Sequence, residues 1–182
     1  YFQWVWLEQA RDTGIVAADA DQYNSIHDQL IEAFAHLGFE RRRLTLACVK
    51  NHPEDRGTVE YLEDCARQAG VDTAFVHVED IGVDAQGRFT DLDDRIITDL
   101  FKLYPWEWLL EEDFSKYLLS DAARIIEPAW KMLLSNKGLL AVLWHMFPDH
   151  PNLLPAFFED DAQAQELIAG GQYARKPIFG RE

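Results

Sequence analysis

Two lysines stand in sequence contexts that favour binding of an anion, and Lys137 is the first. It follows Asn136, a residue type that often caps helices, and opens an apolar segment that predicts a helix from Lys137 to Phe147, ended by Pro148. The first turn of a helix already attracts anions through its unpaired N–H groups and its dipole. A lysine there disfavours the isolated helix, so it suggests a negatively charged ligand nearby. The alternative is a lysine that only reaches solvent from the end of a buried helix.

Lys176 is the second lysine. Because it precedes Pro177, its backbone is biased towards an extended conformation, and the segment "QYARKPIF" predicts a strand. Arg175 and Lys176 would then point to opposite faces of that strand. Gly180 follows closely, and a glycine allows the backbone to approach a ligand. An ordinary strand end fits the same residues.

Glu54 and Asp55 form a candidate site of the opposite charge. They follow a predicted strand and open a predicted helix, at the edge of an open α/β sheet where ligands bind. Two carboxylates in that place could receive a cationic amine. Acidic residues in the first turn of a helix also complement its dipole without binding any ligand, so both interpretations stay open.

Alternating strands and helices are predicted to hold these residues. Apolar spacing predicts one helix that follows Asp21 and ends at Gly38, and a second helix within "EDRGTVEYLEDCARQAG". Two short runs of β type, "RRLTLACVK" and "DTAFVHVEDIGV", lie on either side of the second helix. A strand–helix–strand order with short links implies a right-handed crossover and therefore a parallel α/β sheet.

The later part of the chain is predicted from weaker patterns. A strand is expected near Ile97 to Leu103, ended by Pro105, and residues Trp106 to Arg124 look helical. The letters "IIEP" then predict a short extended link. The segment "AWKMLLSNKGLLAVLWHMF" is apolar on most sides, which predicts that it is buried.

The composition excludes some classes of function. With 182 residues, of which 48% are hydrophobic, the chain is expected to be globular. Its formal net charge of −15 argues against sequence-independent binding of nucleic acid, which needs clustered Lys and Arg to replace phosphate counterions. No apolar run approaches the roughly 20 residues of a membrane span, so no membrane partner is expected.

The cysteines and histidines indicate neither disulfides nor a metal site. Cys48 and Cys65 lie in apolar patterns, which predicts buried, unreactive thiols in a cytoplasmic protein. The six histidines form no spaced pair of ligands, so a metal held by histidines is not expected.

Three stretches together carry a resemblance to a known family: "FKLYPWEW", "EPAWKMLLSNKGLLAVLWHMFPDHPNLLPAFF" and "RKPIFGRE". They resemble the synthetase part of the glutathionylspermidine synthase family, most closely its shorter acid–amine ligases, which lack the amidase domain. The resemblance extends over nearly the whole chain. It implies a Rossmann-like α/β pre-ATP-grasp domain over residues 1–125, which leads into an incomplete first lobe of an ATP-grasp fold over residues 126–182.

The function that this resemblance implies is ATP-dependent ligation of a small-molecule carboxylate to a small-molecule amine. ATP would phosphorylate the carboxylate, and the amine would attack the acylphosphate to form an amide. By similarity, Lys137 and Lys176 contact ATP, and Gly180, Arg181 and Glu182 begin a loop that covers the phosphates. Mg²⁺ and the two lysines would offset the repulsion between carboxylate and phosphates.

The acidic pair also has a counterpart in the family. Glu54 and Asp55 fall where the bifunctional members carry paired acids near the polyamine. The resemblance therefore favours the amine-binding interpretation of these two residues, although the residues around them differ from the family pattern.

Other functional residues of the family imply that this chain is a central fragment. The family's substrate-handling Arg and Asp and its "E-x-N" metal motif lie before Tyr1, and its remaining Mg²⁺ carboxylates lie after Glu182. We therefore expect neither catalytic residues nor metal ligands within the chain, and no ligation by the chain alone. The rival hypothesis is a non-catalytic α/β module that binds a nucleotide or an amine without joining substrates.

Overall fold

The computed structural model describes residues 2–39, 42–118, 122–171 and 173–179. It divides into two compact units, Tyr1–Pro128 and Ala129–Glu182. The strands of the first unit are β1 (Arg43–Cys48), β2 (Asp72–His77), β3 (Gly82–Val83), β4 (Phe89–Thr90), β5 (Asp99–Leu103) and β6 (Arg124–Ile126). The helices of the first unit are α1 (Phe2–Asp12), α2 (Ile26–His36), α3 (Pro53–Gln68) and α4 (Trp106–Leu109). The helices of the second unit are α5 (Met132–Ser135), α6 (Gly138–Met146) and α7 (Ala162–Gly170).

A parallel sheet forms the centre of the first unit, which confirms the predicted α/β class. Its strand order is β2-β1-β5-β6, and Leu46 in β1 lies opposite Phe75 on one side and Phe101 on the other. Leu46 and its alternate neighbours Leu44 and Cys48 pack against α2 and α3 in one apolar core. A strand that is covered on both faces consists almost entirely of apolar residues, which is why the sequence "LTLAC" predicted a buried strand.

Two glycines end the helices that cover this core, as predicted. Gly38 follows α2 with a φ of +74°, and Gly70 follows α3 with a φ of +81°. Left-handed backbone at the end of a helix favours glycine because it lacks a Cβ atom. The start of α2 lies later than predicted, since Asn24 Oδ1 accepts a hydrogen bond from Ile26 N at 3.0 Å.

The cysteines lie where the sequence predicts. Cys48 and Cys65 are both buried and form no disulfide. Burial raises the pKa of each thiol, which keeps it protonated and weakly reactive at neutral pH.

The predicted helix over Trp106 to Arg124 is wrong. In the described part of this region, residues 106–118 and 122–124, the helical segments are α4 and a short 3-10 turn at Ser115–Tyr117, and Arg124 begins a strand instead. Arg124 N donates to Thr98 O at 2.8 Å, and its Nε lies 2.6 Å from Oδ1 of the buried Asp99. These pairings hold the "RII" segment against β5, so the extended link that the sequence predicts there is partly a fourth parallel strand.

A second correction concerns the length of the strand that follows α3. The sequence predicts one strand through "DTAFVHVEDIGV", but β2 ends at His77 and a 3-10 turn follows over Val78–Asp80. Gly82 and Val83 then pair with β4 in the antiparallel direction.

In the second unit, the predicted burial of the apolar segment is wrong. Among the residues described there, only Ala141 and Ala164 are buried apolar side chains. This unit contains three helices of four or nine residues and no described strand, so it offers little surface against which an apolar stripe could pack. The exposed apolar residues of the segment are Trp130, Leu133, Leu134, Leu140, Val142, Met146 and Phe147.

We also find that no helix in the described part of the chain has the length and apolarity needed to cross a membrane.

Candidate functional site

The start of α6 is the first candidate site, and Asn136 shapes it as predicted. This residue is extended, with φ −94° and ψ 151°, so it separates α5 from α6. Its Oδ1 accepts a hydrogen bond from Leu139 N at 3.2 Å, while its Nδ2 donates to Leu133 O at 2.9 Å. The side chain therefore caps α6 and holds the end of α5. The helix itself runs Gly138–Met146, one residue shorter at each end than predicted.

Lys137 joins this helix start to the segment that carries Lys176. Its backbone N donates to Ile178 O at 2.9 Å. Lys137 is half-buried, whereas Lys176, two residues before Ile178, is exposed. The structure thus brings together the two segments whose lysines the sequence singled out.

The predicted strand over "QYARKPIF" does not form in the described part of the chain. Residues 173–177 are irregular and 178–179 form a bend, with no ladder to another segment. Pro177 has no N–H with which to pair, and the carbonyl of Ile178 bonds to a helix start instead of a strand. Arg175 Nη2 lies 2.8 Å from Glu159 Oε2. The candidate residues Gly180 and Arg181 lie outside the described residues.

The space beside this helix start is narrow and partly apolar. A Cβ atom added to Gly138 would lie 3.1 Å from Asn136 Oδ1, 3.4 Å from the Phe158 ring and 3.6 Å from Ile178 Cγ2. A glycine therefore lets these groups close in on the backbone of the first turn. The start of α6, the segment that carries Lys176 and the side chains of Phe158 and Ile178 therefore lie close together.

The acidic pair occupies the first turn of α3, as predicted. Pro53 opens the helix after the carboxyl end of β1. Asp55 is tied locally, because its N lies 3.3 Å from His52 Nδ1 and its Oδ1 lies 3.2 Å from the same nitrogen. Glu54 is exposed, and its backbone carbonyl accepts a hydrogen bond from Thr58 Oγ1. Glu54 is thus the more accessible carboxylate of the two.

The cationic side chain of Arg56 follows Glu54 and Asp55 in the sequence, so its contacts bear on whether these acids could bind an amine. Arg56 Nε donates to Glu60 Oε1 at 2.9 Å, and the guanidinium lies over the Phe75 ring at 3.5 Å from its centroid. Its Nη1 is buried without a hydrogen-bond partner among the described residues. The Arg56 side chain is thus held by Glu60 and Phe75.

Lys102 is a further candidate functional residue, and the sequence patterns did not indicate it. It lies near the carboxyl end of β5, is only 5% exposed, and its Nζ donates to Tyr104 O at 2.9 Å. The ammonium also lies 4.5 Å from the centroid of the Trp106 ring, whose Nε1 is buried without a partner among the described residues. Burial lowers the pKa of Lys102 to about 8, against the opposing effect of Glu127 and Glu107. The available signal was a lysine inside the apolar run "DLFKLYP".

Metal ligands do not cluster in the part of the chain that the structure describes. No three His, Cys, Asp or Glu side chains gather there at a distance suited to one ion.

Comparison with known proteins places these features in a family. A family model described as "Glutathionylspermidine synthase preATP-grasp" matches residues 1–182. A protein of Haemophilus influenzae named "Putative acid–amine ligase" is 42% identical over 184 residues, which cover 99% of this chain and 45% of that protein.

Two more distant relatives carry names of the same class of reaction. The bifunctional glutathionylspermidine synthetase/amidase of Escherichia coli is 28% identical over 152 residues, covering 70% of this chain and 24% of the enzyme. Trypanothione synthetase of Crithidia fasciculata is 29% identical over 156 residues, covering 73% of this chain and 23% of the enzyme. The chain therefore spans less than half the length of each of these relatives.

Proposed function

The chain belongs to the glutathionylspermidine synthase preATP-grasp family, and from that premise we propose that it is part of an ATP-dependent carboxylate–amine ligase. The observation that carries the proposal is the hydrogen bond from Lys137 N to Ile178 O, at 2.9 Å. It joins the two segments whose lysines the family resemblance assigns to ATP. In this proposal the second unit begins the ATP-grasp domain, and the first unit is the pre-ATP-grasp domain.

The proposed reaction has two steps. A carboxylate oxygen attacks the γ-phosphorus of ATP, and ADP leaves with the electrons of the broken P–O bond. An amine nitrogen then attacks the acyl carbon of the acylphosphate, inorganic phosphate leaves, and the nitrogen loses a proton to give the amide. The products are therefore the amide, ADP and phosphate.

The residues of this chain contribute mainly charge. The reacting carboxylate and the phosphates repel one another, so cations that are fixed before the reaction stabilise the charge that moves during phosphoryl transfer. Lys137 would provide one such cation from the capped start of α6, and Lys176 a second from the joined segment. Glu54 would attract the cationic form of the amine at the carboxyl edge of the sheet, with Asp55 beside it.

Mg²⁺ is proposed as the accompanying metal, and its role would be to neutralise phosphate oxygens. The described residues of this chain do not form a group of ligands for it. By the family resemblance, the carboxylates that hold Mg²⁺ belong to the parts of the relatives that this chain does not span.

The test is made with the full-length protein. Incubation with ATP and a panel of carboxylates and amines, read by mass for the amide, should give one or more products together with ADP. Separately, Lys137→Ala and Lys176→Ala should each weaken ATP binding about tenfold, since a hydrogen bond to a charged phosphate contributes about 1.5–3 kcal/mol. ATP binding is measured by calorimetry, which does not depend on turnover.

Lys131→Ala is the matched control. Lys131 lies in the same unit, with its Nζ 5.9 Å from the centroid of the Trp130 ring, and it is not assigned to ATP. Its removal should change ATP affinity by less than about twofold, which is near the noise of surface substitutions. Unchanged ATP affinity in both the Lys137 and the Lys176 variants would contradict the nucleotide assignment. Phosphate release without any amide across the panel would contradict the ligase assignment.

We also propose that the 182-residue chain alone does not catalyse ligation. It spans 45% of its Haemophilus influenzae relative and provides no described group of metal ligands. An assay of ADP release by the isolated chain should therefore give the background rate. Release that Lys176→Ala abolishes would show that the chain is catalytic by itself.

A further inference from the structure

A cavity of about 510 Å³ opens at the amino ends of β1 and β2 in the first unit. This is the edge of the sheet opposite to Glu54 and Asp55, which follow the carboxyl end of β1. Thr45 of β1 lines the cavity, and so does Phe39, which belongs to the same apolar core as Leu44 and Leu46. Nothing in the proposed ligase function uses this cavity.

Thr45 provides a buried polar group in the cavity wall. The residue is only 5% exposed and lines the cavity. Ile97 and Phe39, both buried, line the same cavity and give it apolar surface. This part of the cavity therefore suits a ligand with one polar end and a small apolar body.

Three arginines and two aspartates, Asp72 and Asp91, line the cavity, so its charged lining carries a net positive charge in a chain whose formal net charge is −15. Arg43 Nε pairs with Asp72 Oδ2 at 2.8 Å, and Arg95 Nη1 pairs with Asp93 Oδ2 at 2.7 Å. Each contact uses one nitrogen of a guanidinium that has five N–H donors. Exposed ion pairs of this kind contribute roughly 0–1 kcal/mol, so a ligand can recruit the remaining donors at little cost.

The third arginine, Arg42, is positioned by a buried carboxylate. Its Nη1 lies 3.4 Å from Oδ1 of Asp99, which is fully buried and also accepts from Arg124 Nε at 2.6 Å. Arg124 in turn donates through Nη1 to Leu37 O at 3.0 Å and lies over the Phe39 ring. The cation at this side of the cavity is thus fixed by the starts of two strands rather than by a single surface pair.

We propose that this cavity binds a small organic oxyanion, a carboxylate or a phosphate attached to a short apolar group. The guanidinium groups of Arg42, Arg43 and Arg95 hold the oxyanion, and the Thr45 hydroxyl donates to an oxygen atom of the same ligand. The apolar group packs on Ile97 and Phe39. The ligand class follows from this donor set, because planar guanidinium groups match carboxylate and phosphate oxygens in pairs.

The test uses the full-length protein and three probes: inorganic phosphate, acetate and butyrate, each against chloride at equal ionic strength. Binding is followed by the methyl resonances of Ile96 and Ile97, which line the cavity. At least one probe should shift both resonances with a Kd in the range of about 1–10 mM, which corresponds to about −3 to −4 kcal/mol. Phosphate and the two carboxylates distinguish the oxyanion type, and butyrate should bind more tightly than acetate because of its longer apolar part.

Arg95→Gln is the deciding variant, because its side chain is exposed and its loss should not affect folding. It should raise the Kd of the tightest probe about tenfold. Arg88→Gln is the matched control, since Arg88 pairs with Asp84 at 2.7 Å on the neighbouring hairpin but does not line the cavity. It should leave the Kd within about twofold. Thr45→Val keeps the shape and removes the hydroxyl, so it should weaken binding by a smaller factor.

Two results would overturn the proposal. One is the absence of any shift at Ile96 and Ile97 for all three probes. The other is equal binding in Arg95→Gln and Arg88→Gln, which would mean that the anion responds to general surface charge. Neither result depends on ATP binding or on ligation.

Discussion

Similar apolar sequences are buried in the first unit of this chain and exposed in the second. In the first unit, Leu44 and Leu46 are fully buried beneath α2 and α3. In the second unit, Leu133, Leu134 and Leu140 are more than half exposed. The apolar content of "LTLAC" and of "KMLLSNKGLLAVLW" therefore does not by itself determine burial.

The difference lies in what each segment can pack against. A parallel sheet offers a continuous surface, and α3 covers β1 because the β1–α3–β2 crossover returns the chain over it. The described helices of the second unit are nine residues or shorter, and its described residues form no strand of their own. Within this unit, then, only two alanines find enough surrounding atoms to be buried.

The largest expected effect tests this comparison directly. Leu46→Ala should lower the free energy of unfolding by about 2–5 kcal/mol, because it removes a fully buried side chain and leaves a cavity. Leu134→Ala, the same change at an exposed position of the second unit, should cost less than about 1 kcal/mol. Urea unfolding followed by circular dichroism measures both. Equal losses would mean that Leu134 packs as tightly as Leu46.

Lys102 gives a smaller effect of the opposite sign. Burial of its ammonium lowers its pKa from 10.5 to about 8, so the charged form destabilises the fold at neutral pH by about 3 kcal/mol. A methionine removes this charge but also loses the hydrogen bond to Tyr104 O and the contact with the Trp106 ring. Lys102→Met should therefore raise the free energy of unfolding at pH 7 by about 1 kcal/mol.

The pH dependence of this gain separates it from a simple packing effect. Between pH 8 and pH 10.5 the unfolded chain holds the lysine proton while the folded chain has lost it. The stability of the unsubstituted chain therefore rises with pH across that window, and the advantage of the variant shrinks. Lys116→Met, at an exposed lysine of the same unit, should show no such trend. A gain that stays constant from pH 7 to pH 10 would contradict the assignment to a buried charge.

Much of the first unit could be predicted because its patterns are local. The ends of α2 and α3 are indicated by Gly38 and Gly70, which follow these helices. The helix α3 and the short strands are indicated by the spacing of apolar residues within each segment. The region after Pro105 could not be predicted in this way. There, Arg124 joins a strand and pairs with Asp99, which lies 25 residues away in the sequence. The local spacing of apolar residues does not indicate such a pairing.

The candidate site was predictable to a similar extent. Asn136 was recognised as a cap from its residue type and the apolar run after it, and its side chain accepts the expected bond. Lys102 was missed because its environment depends on burial and on its contacts with Tyr104 and Trp106, which its spacing in the sequence does not indicate. The arginine-lined cavity was missed for the same reason, since Arg43 and Arg95 are brought together only by the folded sheet and hairpin.

The smallest expected effect concerns the start of α6, where local sequence and structure agree best. Asn136→Ala removes the oxygen that accepts from Leu139 N, and loss of such a cap costs about 1 kcal/mol. Amide exchange at Leu139 should therefore accelerate about fivefold, while Asn152→Ala, at an exposed position of the same unit, should leave it unchanged. Because Lys137 and its bond to Ile178 adjoin this cap, the Asn136 variant should also weaken ATP binding more than the Asn152 variant does. Unchanged exchange at Leu139 would mean that the bond from Lys137 N to Ile178 O, rather than the cap, fixes the helix start.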